Sequence, residues 1–79
     1  MNKEIHLFGL LKEQYGDTVR VEVPAFPITI EEIVKAFRES HSEVNDIPFL
    51  IAVNHFMATL NDNVNENDYM ALLPPVSGG

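Results

Sequence analysis

The chain has 79 residues, a net charge of −7, 46% hydrophobic and 22% charged residues, and no cysteine. That length supports one hydrophobic core and leaves no room for a second, and the composition is that of a folded domain. The missing cysteine excludes disulfides, thiolate metal sites and a cysteine nucleophile and fits a reducing cytoplasm, while the acidic balance argues against nucleic acid and anionic membranes as partners.

Met1-Asn2-Lys3-Glu4 does not read as a signal peptide, and no apolar run approaches the roughly 20 residues of a membrane span. Ile5 to Leu11 reads as a first strand, apolar on both faces and therefore central. Tyr15-Gly16-Asp17 is turn chemistry. Val19, Val21 and Val23 then alternate with Arg20 and Glu22 in a half-exposed strand that Pro24 ends, pairing antiparallel with the first.

Thr29 and Glu32 have capping-box spacing at the start of the clearest helix, where Glu31 and Glu32 also suit the positive end of the helix dipole. Ile30, Ile33, Val34 and Phe37 form one apolar stripe, with Lys35, Arg38 and Glu39 toward water, and the helix is expected to stop near Ser40 to Ser42. Phe49 to Val53 reads as a buried strand. Asn54-His55 is a tight turn, because Asn tolerates positive φ, and Phe56 to Ala58 returns as a short edge strand. Val64 stands within a polar loop of Asn and Asp. Tyr69 to Leu73 is the last strand, halted by Pro74.

The order is a hairpin, one main helix and three further strands, an α+β pattern with the helix packed on one face of a mixed sheet of about five strands. A β-grasp, ubiquitin-like fold uses this order and places the first and last strands adjacent and parallel at the centre. The folded domain is expected over residues 1–73. Residues 74–79, Pro74-Pro75-Val76-Ser77-Gly78-Gly79, form an extended tail. The two prolines stiffen its root, the two glycines let another protein close around its end, and six residues reach roughly 20 Å.

Few other places can carry chemistry. His6, His41 and His55 fall on a strand, a helix end and a turn, without the helical spacing of a zinc site. The glycines form no phosphate-binding pattern, and Ser40 and Ser42 beside His41 are sequence neighbours rather than a catalytic pair. The carboxylate of Gly79 remains. With an ordinary pKa of about 3.5 it is inert at neutral pH and must be activated, typically as an adenylate. It can then acylate an amine or take up sulfur as a thiocarboxylate.

Leu72 to Gly79 resembles the C-terminus of the small subunit of molybdopterin synthase, the MoaD-like sulfur carriers. The likeness continues in Ile5-His6-Leu7-Phe8-Gly9 followed by Lys12-Glu13 and Gly16, in Ile51-Ala52-Val53-Asn54 and in Asn67-Asp68-Tyr69-Met70-Ala71. Lys12 stands where the family commonly has Arg, and Asn67 where it commonly has Gly. The resemblance implies that an E1-like adenylating enzyme consumes ATP to activate Gly79 and that a sulfurtransferase or other sulfur donor converts it to a thiocarboxylate. The tail would then enter the large subunit, whose pocket would transfer the sulfur to cyclic pyranopterin monophosphate. No cofactor is expected to be bound by this chain itself. Gly79 would carry the donor atom, Gly78 give access, and Pro74, Pro75, Val76 and Ser77 guide the tail. Strand parity puts Phe8 and Leu73, with Met57 nearby, on an outward face that matches the family's subunit contact. The same features leave open a sulfur carrier for thiamine thiazole synthesis, a ubiquitin-like protein modifier and a purely structural binding module.

Overall fold

The computed structural model describes residues 1–42 and 47–75. β1 (Asn2–Leu7) is followed by α1 (Leu10–Tyr15), β2 (Thr18–Glu22), β3 (Ile28–Thr29), α2 (Ile30–Ser40), β4 (Leu50–Val53), β5 (Phe56–Met57), β6 (Asn63–Val64) and β7 (Met70–Leu73). Five strands form one mixed sheet in the order β2-β1-β7-β4-β5. β1 runs antiparallel to β2 and parallel to β7, and β7 runs antiparallel to β4. The expected β-grasp is present, with the last strand held between β1 and β4.

α2 forms where its sequence says it should. The Thr29 hydroxyl accepts from the Glu32 backbone N–H at 3.3 Å, satisfying one of the otherwise unpaired donors of the first turn. Ile30, Ile33, Val34 and Phe37 are buried. They pack with Ile5 and Leu7 of β1, Val21 of β2, and Met70 and Leu72 of β7 in a single core. The polar side of the helix faces water.

Two features depart from the sequence expectation. The first strand ends at Leu7 rather than Leu11, because Gly9 takes a positive φ of 67° and turns the chain into α1. The apolar pair Leu10-Leu11 thus belongs to a second, short helix, which sends Leu11 into the core and leaves Leu10 exposed. Val64 does not sit in a wholly polar loop. It pairs with Ile28 in a separate two-stranded sheet and is fully buried. A further feature, on which the sequence reading is silent, is the burial of the charged residue Lys3, 1% exposed.

The Asn54-His55 turn has positive φ at both residues, 52° and 71°. This is the geometry that a two-residue hairpin between β4 and β5 requires.

Candidate docking face at the root of the tail

Alternation along three strands builds the site. In β7, Met70 and Leu72 point into the core, so Tyr69, Ala71 and Leu73 point to the opposite face. In β1, Ile5 and Leu7 are core residues. His6 therefore projects outward, and Phe8 follows it beyond the strand end, where its N–H still donates to the Leu72 carbonyl at 3.2 Å. Ala52 lies opposite Ala71 and also opposite Met57. Helix α2 covers the other face, and among the described residues no element covers this one.

Phe8, Ala52, Met57, Ala71 and Leu73 accordingly line a shallow apolar depression of about 300 Å³, bordered by His55 and Tyr69. Phe8 is 38% and Met57 61% exposed, far more than core residues of their size. Phe8, Met57 and Leu73, expected on one outward face, line this depression together. Phe8 and Leu73 also border a second apolar cleft of about 170 Å³, with Leu10, Phe49, Pro74 and Pro75. Phe8 and Leu73 are thus common to both depressions, while the root of the tail, Pro74 and Pro75, lines the second.

Pro74 is fixed from below. A Cβ at Gly9 would stand 3.1 Å from Pro74 Cγ and 3.2 Å from its Cβ, so the missing side chain is what lets the proline ring settle over the β1–α1 turn. Val76, Ser77, Gly78 and Gly79, the remaining expected tail residues, lie outside the described residues.

One end of the open face is closed by stacked rings. Tyr69 lies between His6, with ring centroids 4.3 Å apart, and His55, at 5.2 Å. The backbone beneath is held by a polar network. Asn54 Nδ2 donates to Asp68 Oδ1, Tyr69 N–H donates to Asn54 Oδ1, and Asn65 N–H donates to Asp68 Oδ2 at 2.8 Å. The Asn65 N–H, then the Asn54 amide and the nearby Lys3 ammonium, hold the Asp68 carboxyl below its ordinary value of 3.8. Among the described residues, no group of three or more His, Asp or Glu side chains is placed to hold a metal ion, and no helix is long and apolar enough to cross a membrane.

A family model described as the ThiS family matches residues 5–79, from within β1 through the end of the sequence. The chain belongs to the ThiS family. As a ThiS-family chain it is 28% identical over 81 residues to the molybdopterin synthase sulfur carrier subunit of Dictyostelium discoideum, covering 96% of this chain and 94% of that protein. Its fold matches SAMP1 from Haloferax volcanii with a TM-score of 0.80 and 29% identity, each chain covered completely. A second structure, of the H. volcanii small archaeal modifier protein 1, gives 0.78 and 27% over 95% of this chain and 98% of that one. The complex of subunits 1 and 2 of the molybdopterin-converting factor from Helicobacter pylori 26695 matches with a TM-score of 0.64 at 24% identity, covering 100% of both chains, which supports the fold.

Sequence reasoning about this ThiS-family chain missed Gly9, Lys3 and the His6–Tyr69–His55 stack. Gly9 carried a signal, since a glycine inside an apolar run marks a break or a close approach. The stack carried none, because it joins residues from β1, the β4–β5 turn and the start of β7.

Proposed function

We propose that this chain is the sulfur-carrying small subunit of a molybdopterin synthase, working in the cytoplasm. Residues 1–73 act as the rigid domain and residues 74–79 as the inserted tail. An E1-like enzyme uses ATP to join AMP to the Gly79 carboxylate, releasing pyrophosphate. A sulfurtransferase or other donor then supplies sulfur at the sulfide level, which attacks the acyl carbon, expels AMP and leaves a thiocarboxylate. The large subunit receives the tail, with Gly78 giving access and Pro74, Pro75, Val76 and Ser77 guiding it, and passes the sulfur to cyclic pyranopterin monophosphate. The donor atom is carried on Gly79, and no cofactor is held by this chain.

The observation that carries this reading is the gathering of Phe8, Met57 and Leu73 on an open apolar face at the root of the tail. That face adjoins Leu73, the last strand residue before the tail, so a partner that receives the tail has an apolar surface beside it to dock on. Family membership and the Dictyostelium relative support the same assignment. A second reading, a protein modifier attached through Gly79, is favoured by the match to the H. volcanii small archaeal modifier protein 1.

Intact-mass measurement of the protein from its own cells separates the two. One oxygen-to-sulfur exchange at the C-terminus is expected. Isopeptide-linked adducts without any thiocarboxylate would assign the chain to the modifiers instead. Phe8→Asp and Leu73→Asp are expected to abolish binding of the large subunit with little change in melting temperature. Unchanged binding would remove the docking role of this face.

A further inference from the structure

Lys3 is the one charged side chain buried among the described residues, at 1% exposure on the core side of β1. An apolar residue there would join Val21, its cross-strand neighbour, in the core. Burying an ammonium instead is costly unless every donor is paired, and replacing such a group by an apolar one of similar volume is often neutral for stability. Its presence calls for a role other than holding the core together.

The ammonium has three donors, and three backbone carbonyls meet it: those of Asn65 at 2.9 Å, Glu66 at 3.0 Å, and Asp68. All three lie in the loop between β6 and β7, more than 60 residues away in sequence. The loop so gripped carries Asp68. Its carboxylate accepts from the Asn54 side chain, and Asn54 exchanges two hydrogen bonds with the Tyr69 backbone, through its own N–H at 2.7 Å and its Oδ1 at 2.9 Å. Asn54 and His55 form the β4–β5 turn, and His55 stacks on Tyr69. An unbroken series of contacts thus runs from a cation inside the domain to the aromatic rim of the open face.

We propose that Lys3 is a positioning residue of the docking face: by gripping the 65–68 loop through its carbonyls it sets where Tyr69 and His55 stand, and with them the border against which a partner seats. The inference rests on the reading that this face docks a large subunit. Burial lowers the Lys3 pKa from its ordinary value of 10.5, while Asp68, Glu66 and Glu4 oppose that shift. The three matched acceptors fit the charged form, the only one with three donors.

The test is Lys3→Met in the full-length chain, read three ways. The variant is expected to melt cooperatively. Its Asn65–Tyr69 amides are expected to exchange faster, and the ring-current shifts of the His6–Tyr69–His55 stack to collapse. Its affinity for the large subunit is expected to fall by about three- to thirtyfold. Because the chain has no cysteine, Lys3→Cys can be alkylated while unfolded with 2-bromoethylamine, which rebuilds an ammonium of nearly the same length. That protein is expected to regain both the stack and the affinity, whereas propylation, which adds no charge, is expected to restore neither. Wild-type affinity in Lys3→Met overturns the proposal. So does recovery by the propylated protein, which would show that bulk and not charge matters. The exchange and ring-current readouts need no partner. If Leu73→Asp still binds while those local signals collapse in Lys3→Met, it is the docking reading that has failed and not the grip of Lys3 on the rim.

Discussion

Replacing Gly9 by alanine measures how firmly the root of the tail is seated. Gly9 holds φ 67° and ψ −138°, a region that residues with a Cβ rarely enter, at a cost of about 1–3 kcal/mol. The new Cβ would also press on Pro74, 3.1 Å from Cγ, so the ring must yield by a few tenths of an ångström. Gly16 is a matched control. It too has positive φ, 95°, but among the described residues nothing lies within 4 Å of its added Cβ. Both alanine variants carry the backbone cost, and only Gly9→Ala pushes on the tail. At about 4–8 °C per kcal/mol for a domain of this size, each should melt roughly 5–20 °C below the parent.

A double-mutant cycle isolates the contact. Combining Gly9→Ala with Pro74→Gly removes the ring that the Cβ meets, so urea unfolding should show a coupling on the order of 0.5–1 kcal/mol between positions 9 and 74. The same cycle with Gly16→Ala should show none. Adenylation of Gly79 by the activating enzyme should slow in Gly9→Ala and stay near the parent rate in Gly16→Ala at a temperature where both are folded. Absence of coupling at position 9, or equal slowing in both variants, would refute the idea that the glycine seats the proline.

Two further outcomes follow from single interactions. Thr29→Ala removes the cap of α2 and should cost about 1 kcal/mol in urea unfolding, whereas Thr29→Ser should cost little. The folded-state pKa of Asp68 lies below its ordinary 3.8. Its contribution is therefore complete above that value and lost as pH falls through the lower folded one. A series of unfolding midpoints in acid should fall more steeply for the parent than for Asp68→Asn across that window, and parallel curves would count against the carboxylate.

What the sequence made legible was local or periodic. The Thr29-to-Glu32 spacing and the stripe through Phe37 carried α2, and the Asn54-His55 pair carried its turn, because each is decided within a few residues. Parity along β7, joined to the position of Phe8, was enough to put Phe8 and Leu73 on one outward face. The misses were contests between a local pattern and a distant one. Leu10 and Leu11 continued an apolar run, and only the close approach of Pro74 explains why Gly9 breaks it there. Val64 sits in a polar stretch yet pairs with Ile28, 36 positions earlier. Lys3 is buried because carbonyls from the other end of the chain come to meet it, which no window around position 3 contains.

The fold and the docking face share one four-residue strand, and its alternation makes their energetics separable. A chain of 79 residues, at about 0.05–0.15 kcal/mol per residue, is stable by roughly 4–12 kcal/mol. Leu72 has no exposure and sits in the core, so Leu72→Ala should cost about 2–5 kcal/mol, up to the whole margin of a weakly stable domain. Leu73, one residue on, is only half-buried and faces the open side. A charge there keeps its access to water and leaves the core untouched, but it would be stranded unpaired against an apolar partner surface. Adjacent leucines should therefore fail in opposite ways. Leu72→Ala should lower the urea midpoint while the fraction still folded binds normally, and Leu73→Asp should melt near the parent and not bind. If both variants lost stability and binding in proportion, the strand would serve the fold alone, and the face beside Pro74 would have no separate role in presenting the tail.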